Sequence, residues 1–458
     1  MSVGVLRCSQ NPLRPPSGFT DYSMAENQAF DYLKTRVAEV FKRYGFSAFY
    51  PSPVERIQIL REKGGINKQI YSIFSTDEKN NDIPTGLGLP FDRTVSLALY
   101  IARNFRELAF PFKRYDISYS FRGEHAQKGR YRGFYQADID VVGKNLSIDA
   151  DVECVSTIFD ALTKLKIGPF VMAVNNIKLA KAILEYFKIE EAKKPDVLRI
   201  LDKMDKLSME DIENELSEII VRSTAKDLLQ IVSFKGSIND YCKMLEEKNK
   251  DLLVFCKTAI EEISLFIQKL EESGVDLKQI NFCPRMVRGL DYYTGMVFET
   301  FLVGKEKYGS IASGGRYAEL VDAFLKDKTG LEGTGISIGL TRLFDICVRE
   351  KLIPLGPSTQ SHVLIAFKND AFRSSVNVIG HYLREKDLNV DIYLGNKEMK
   401  AQLGYANTLK IPFVILVVDN GKYVVKNMKR KTQSEELTSI EQVFECLEQM
   451  KKEEITQE

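Results

Sequence analysis

Apolar residues recur at three- and four-residue intervals through Ala29, Phe30, Leu33, Val37, Val40 and Phe41, which predicts a helix with one buried face. Lys42, Arg43 and Gly45 supply a typical helix ending. The next stretch, 46–53, is aromatic and proline-rich and predicts extended chain. Val95, Leu97, Ala98, Tyr100 and Ile101 mark a second helix over 94–103. Strand patterns at 115–121 and 133–142 flank the basic, glycine-containing stretch 123–132, which predicts an antiparallel hairpin. From about 178 to 278 the chain is rich in Lys, Glu, Leu and Ile, with no proline after Pro195. Leu252, Phe255, Cys256, Ala259, Ile263, Phe266, Ile267 and Leu270 share one helical face, so this segment predicts an all-helical inserted module whose charges form a solvated outer surface. Strand patterns return at 296–303 and 308–312, and 334–340 predicts a strand running into a helix from Thr341.

Two prolines and a glycine in 352–360 predict a linker. Beyond it, apolar strands at 363–367, 390–393 and 413–418 alternate with helical patterns at 372–386 and 397–409. That order predicts a small α/β domain with a largely parallel sheet. A chain of 458 residues is too long for one ordinary core, in keeping with a multidomain α/β protein.

Charge and cysteine content narrow the function classes. The net charge is +1, so any polyanion must be met by local basic patches rather than an overall field. The seven cysteines are scattered and never spaced as CxxC, and the three histidines, His125, His362 and His381, form no pair, so no protein-built metal site is expected. No apolar run approaches the ~20 residues of a membrane span, and the opening MSVGVLRCSQNPLRPP lacks a signal-peptide core. A cytoplasmic protein with reduced thiols and no membrane partner is the expectation.

Arg122, Arg288, Arg316 and Arg342 stand beside glycines or strand-forming residues, away from the Lys/Glu-rich helices. A guanidinium fork suits phosphate, and equally suits a buried carboxylate partner. The motifs around them resemble those of class II aminoacyl-tRNA synthetases, in the form found in the histidyl-tRNA synthetase family. YSFRGE at 119–124 with QKGRYRGFYQ at 127–136 resembles motif 2; RGLDYY at 288–293 and SGGRY at 313–317 resemble the two histidine signatures; GISIGLTRL at 335–343 resembles motif 3; FKRYGF at 41–46 through Pro53-Val-Glu55 is a fainter motif 1. The likeness runs from about Pro16 to about Lys426.

The resemblance implies an antiparallel catalytic sheet flanked by helices. Residues 1–177 and 279–350 would form the catalytic domain, 178–278 a helical insertion, 351–360 the linker and 361–458 an anticodon-binding domain. It implies that Arg122 and Arg288 hold the α-phosphate of ATP, that Arg288 also meets the histidine carboxylate, that Arg342 packs on the nucleotide, and that Glu124 contacts the adenine or ATP. Asp92, Thr94 and Gln136 would take the α-amino group, Asp140 and Tyr293 would read the imidazole, and Tyr317 would line the pocket. Gln127 and Arg132 would read the extra 5′ guanosine of tRNA-His, with Lys400 and the cluster Lys422, Lys426, Lys429, Arg430 and Lys431 on other parts of the tRNA. The substrates would be L-histidine, ATP with Mg2+ and tRNA-His, with no tightly bound cofactor, and the protein would be a homodimer.

Some positions depart from the family pattern. Ser17 stands where arginine is usual, Pro90 and Arg93 alter the approach to Asp92, Pro51 and Pro53 bracket the usual proline position, and Thr341 replaces glutamate in motif 3. The alternative is a synthetase-like regulator that binds histidine or senses tRNA without aminoacylating; the first kind usually lacks the anticodon domain and has eroded RGLDYY and motif 2 arginines.

Overall fold

The computed structural model describes residues 13–61, 70–77, 79, 81–125, 129–204, 207–286, 293–318, 320–325, 328–395 and 397–455. They divide into two compact units, Leu33–Ile353 with the residues up to Thr20, and Pro354–Glu458 with Asp21–Tyr32.

The hairpin predicted around the basic stretch is the centre of the first unit. Strands β5 (Phe112–Phe121) and β6 (Gly133–Lys144) pair antiparallel, with Tyr119 opposite Tyr135. They belong to an eight-stranded sheet completed by β1 (Ser47–Ala48), β7 (Phe170–Asn176), β8 (Ile280–Phe282), β9 (Tyr293–Leu302), β10 (Ala312–Ala318) and β11 (Leu331–Ile338). The order is β1-β5-β6-β11-β10-β9-β7-β8. Only the outer pairs β1·β5 and β7·β8 are parallel. The stretch 308–312, expected as a strand, turns instead as a 3-10 segment, Glu306–Tyr308, and the strand falls on the SGGRY residues.

Helix α1 (Met24–Arg43) ends as expected, with Gly45 at φ +76°, a conformation that suits glycine. From Leu33 onward its apolar face, Leu33, Val37, Val40 and Phe41, is buried. Helix α4 (Asp149–Leu165) covers one face of the sheet with Val155, Ile158 and Leu162, each contributing about 1.5–3 kcal/mol by leaving water. A three-stranded sheet, β2 (Glu55–Arg56), β4 (Asp82–Leu89) and β3 (Tyr71–Thr76), with the short α2 (Ile57–Arg61), had no signal in the hydrophobic pattern. Helix α3 (Thr94–Asn104) buries Val95, Leu97, Ala98 and Ile101.

Between β7 and β8 the described chain is helical, as the pattern predicts: α5 (Ile177–Tyr186), α6 (Lys194–Leu201), α7 (Met209–Ser217), α8 (Arg222–Val232), α9 (Ile238–Lys248), α10 (Lys250–Phe255) and α11 (Lys257–Glu272). Side-chain caps from Asn176, Ser208, Ser237 and Asn249 start four of them. Helix α12 (Leu340–Arg349) follows β11 directly.

In the second unit, β12 (Val363–Phe367) lies between β13 (Val390–Ile392) and β14 (Phe413–Asp419), both parallel to it. Helices α13 (Arg373–Glu385), α14 (Met399–Leu409) and α15 (Ile440–Ile455) accompany the sheet. Two further strands, β15 (Lys422–Asn427) and β16 (Thr432–Gln433), extend it antiparallel beyond β14. The lysine-rich run therefore begins as a strand: Tyr423 and Val425 are buried while Lys422 is exposed.

Candidate active site

Antiparallel register assembles the site. Residues directly opposite one another share a face of the sheet. One row crosses five strands as Asp116, Asp138, Ser337, Ser313 and Glu299. The next row is Arg114, Asp140, Gly335, Gly315 and Val297. Polar side chains and glycines thus carpet the middle of this face, where a second apolar layer would otherwise pack. A cavity of about 460 Å3 opens there; Arg122, Glu124, Arg130, Gln136, Tyr293, Glu299, Ser313, Ser337 and Arg342 are among its lining residues.

Two guanidiniums of the cavity lining donate to carbonyl groups. Arg122 Nε donates to the Phe91 carbonyl at 3.2 Å, and its guanidinium lies 5.0 Å from the centre of the Phe134 ring. Arg342 donates to the carbonyls of Gly129 at 2.9 Å and Ser310 at 2.7 Å. Carbonyl oxygens fix the direction of a guanidinium, and its planar fork suits the oxygens of a phosphate.

The deeper part of the same face is acidic and tightly connected. Arg114 Nη2 lies 2.6 Å from Asp140 Oδ2, and the Tyr317 hydroxyl donates to Asp140 Oδ1 at 2.9 Å. Arg93 Nε donates to Asp116 Oδ2 at 2.9 Å. Burial pushes the Asp138 carboxyl up to about 7, although Arg114 and a hydrogen bond from Ser337 pull it down. Gly335 has no room for a side chain, since a Cβ there would lie 2.2 Å from Asp140 Oδ1.

Of the residues expected from sequence, Arg122, Glu124, Gln136, Tyr293 and Arg342 line the cavity together. Asp140 and Tyr317 stand outside its lining, in the buried network just described. Asp92 and Thr94 are also outside it: Asp92 Oδ1 accepts from the amides of Thr94 and Val95, both at 3.1 Å, at the start of α3. Arg132 Nε donates to the Glu124 carbonyl at 2.8 Å. Lys400 is exposed in the first turn of α14. Gln127 and Arg288 lie outside the described residues.

Arg316 takes the structural of its two possible roles. It faces away from the cavity and holds Asp151 of α4 at 2.6 Å and Glu332 at 3.1 Å. The unusual positions have structural work of their own. Arg93 pairs with Asp116 and donates to the Pro51 carbonyl at 2.9 Å, and Thr341 Oγ1 accepts the Tyr135 amide at 2.8 Å. In the lysine-rich run, Lys422 pairs with Glu436 at 2.8 Å and Arg430 lies 3.7 Å from Glu453, so part of its charge is locally compensated.

Arg114, Asp116, Asp138, Ser313, Ser337 and Glu299 were not singled out from sequence. The signal was available: Gln136, Asp138 and Asp140 place polar groups at every second position of a predicted strand, a polar face where a core-facing one was due.

Comparison with known proteins gives the family. Residues 18–343 match the histidyl-tRNA synthetase family model, and residues 360–450 match that of an anticodon binding domain. A histidine–tRNA ligase of Clostridium tetani is 35% identical over 439 residues, 94% of this chain and 97% of that protein. One of Finegoldia magna is 33% identical, over 94% of this chain and 98% of its own length. A crystal structure of histidyl-tRNA synthetase from Nostoc sp. PCC 7120 superposes with a TM-score of 0.84 at 30% identity, covering 97% of this chain and all of that one. With the family model, the identity to its relatives and the superposition all in agreement along nearly its whole length, the chain belongs to the histidyl-tRNA synthetase family.

Proposed function

We propose that this enzyme, a histidine–tRNA ligase, joins L-histidine to ATP as histidyl-adenylate with release of pyrophosphate, then transfers the histidyl group to the 3′ end of tRNA-His. The observation that carries the reading is one cavity with carbonyl-anchored Arg122 and Arg342 and the polar row Ser337, Ser313 and Glu299. The arginines suit phosphates, and the row with Gln136 suits the N–H groups of an amino acid.

In the first step a carboxylate oxygen of histidine attacks the α-phosphorus, and the bond from that phosphorus to the bridging oxygen of pyrophosphate breaks. No protein nucleophile is needed, so alignment and stabilisation of charge on the phosphoryl oxygens carry the rate. Arg122 and Arg288 take the α-phosphate, Arg342 the nucleotide, and Glu124 the adenine or ATP. Among the described residues, Glu124 and Glu299 are carboxylates of the cavity lining, the ligand type that suits the Mg2+ that arrives with ATP. Gln136, with Asp92 and Thr94, takes the α-amino group; Tyr293 and Asp140 read the imidazole, and Tyr317, hydrogen-bonded to Asp140, lines the pocket. Such paired polar groups reject analogues that leave them unpaired.

For tRNA, Arg132 and Gln127 would meet the extra guanosine, while Lys400 and the 422–431 run serve a distant part of the molecule. The working domains are 1–177 with 279–350 for catalysis, 178–278 as the insertion and 361–458 for the anticodon, joined by 351–360. The enzyme would act as a homodimer in the cytoplasm, where free thiols such as Cys154, Cys256 and Cys347 stay reduced. ATP–pyrophosphate exchange with each of the twenty amino acids tests the reading. Exchange with histidine alone is expected; exchange indifferent to histidine would overturn it. Light scattering should give twice the mass of one chain.

A further inference from the structure

Asp138 has no part in the chemistry above, yet it belongs to the row that floors the cavity. It is 3% exposed, and its Oδ1 has no hydrogen-bond partner among the described residues. Its register neighbour Ser337 lines the cavity, as does Gln136 two residues away on the same face. The charged groups around Asp138 are Arg114 and Asp116 of β5 and Asp140 of β6, with Arg93 on Asp116 and the Tyr317 hydroxyl on Asp140. Among the described residues, these three carboxyls meet two guanidiniums. A buried carboxyl in such a cluster is favoured either with a proton or against a positive or N–H-bearing group.

We infer that Asp138 is a positioning residue for the amino-acid substrate, acting through Ser337. This rests on the histidine reading of the site and deepens it. When Asp138 is ionised, the Ser337 hydroxyl donates to it, and the lone pairs of Ser337 Oγ are left to accept an N–H of the substrate. When Asp138 is protonated it donates to Ser337 instead. The serine hydrogen is then free to turn toward the cavity, where it opposes the same N–H. Burial places this switch near neutrality, at about 7. Substrate capture is thereby coupled to loss of the Asp138 proton and strengthens as pH rises.

The test is kcat/KM for histidine in pyrophosphate exchange from pH 6 to 8, for the parent, Asp138→Asn and Ser337→Ala. Histidine's own titrations are common to all three and cancel in the ratio of parent to variant. A group titrating near 7 goes from roughly one-eleventh to roughly ten-elevenths ionised over this range, so both ratios should climb ~10-fold while the KM for ATP holds. Flat ratios with folded variants would overturn the inference. If circular dichroism shows Asp138→Asn unfolded, Ser337→Ala decides by the same ratio. A parent protein with no histidine-dependent exchange would instead overturn the function proposed for the site, which separates the two failures.

Discussion

Arg316→Met removes the clamp between the sheet and α4. The guanidinium donates to Asp151 Oδ2 at 3.0 and 2.6 Å, to Glu332 at 3.1 Å, and to the carbonyls of Leu146 and Ser147 at 2.8 and 2.6 Å. Asp151 is fully buried, and after the substitution its carboxyl keeps, among the described residues, the hydrogen bond from Thr334 at 2.7 Å. Stranding one member of a buried pair costs about 3–5 kcal/mol, most of it the cost of an uncompensated charge. Burial already raises the Asp151 carboxyl above its ordinary value, with Arg316 pulling it back. Without Arg316 it rises further. The folded state then holds a proton that the unfolded state releases near pH 4, so stability falls as pH climbs toward the raised value. That decline continues to higher pH in the variant, so its deficit should be larger at pH 8 than at pH 5, by roughly 1.4 kcal/mol per pH unit of added window. Urea unfolding followed by far-UV circular dichroism reads this, the chain having no tryptophan. Adding Asp151→Asn to Arg316→Met should recover much of the loss. A variant within about 1 kcal/mol of the parent at pH 8, or a double variant worse than the single, would refute the reasoning.

Arg122→Ala and Arg342→Ala should each lower histidine-dependent exchange by ~10²-fold with unchanged circular dichroism, as expected for lost stabilisation of phosphoryl charge; an unimpaired variant would remove that arginine from the site. Gly333→Ala would bring a Cβ to 2.5 Å from the Tyr317 ring, so the histidine KM should rise while the ATP KM holds. In the second unit, the buried Gln402 amide accepts from the Phe367 amide at 3.0 Å and donates to the Phe367 and Lys397 carbonyls, both at 2.8 Å. Gln402→Leu should cost about 1–3 kcal/mol and speed hydrogen exchange at the Phe367 amide. Lys426→Ala and Lys431→Ala should each flatten the salt dependence of tRNA binding by a slope of ~1, and Lys422→Ala by less, because its ammonium already sits 2.8 Å from Glu436.

Local pattern determined much of this protein. The 133–142 strand, the helices of 178–278 and the alternation after 360 follow from periodicity and turn residues that act over a few positions, and RGLDYY with SGGRY identified the family. Arg122, Glu124, Gln136, Tyr293 and Arg342 could be named because they sit in contiguous motifs. The tertiary structure decided what register alone can decide. Asp116, Asp138, Ser337, Ser313 and Glu299 are scattered between positions 116 and 337 of the chain and become one row only when five strands align. Arg316 and Tyr317 are neighbours in SGGRY, yet one clamps α4 on Asp151 and the other reaches Asp140 toward the cavity side, because successive residues of a strand face opposite ways. Which arginine meets a ligand and which meets a carboxylate depends on what lies across that sheet, and those partners come from segments far apart in the chain.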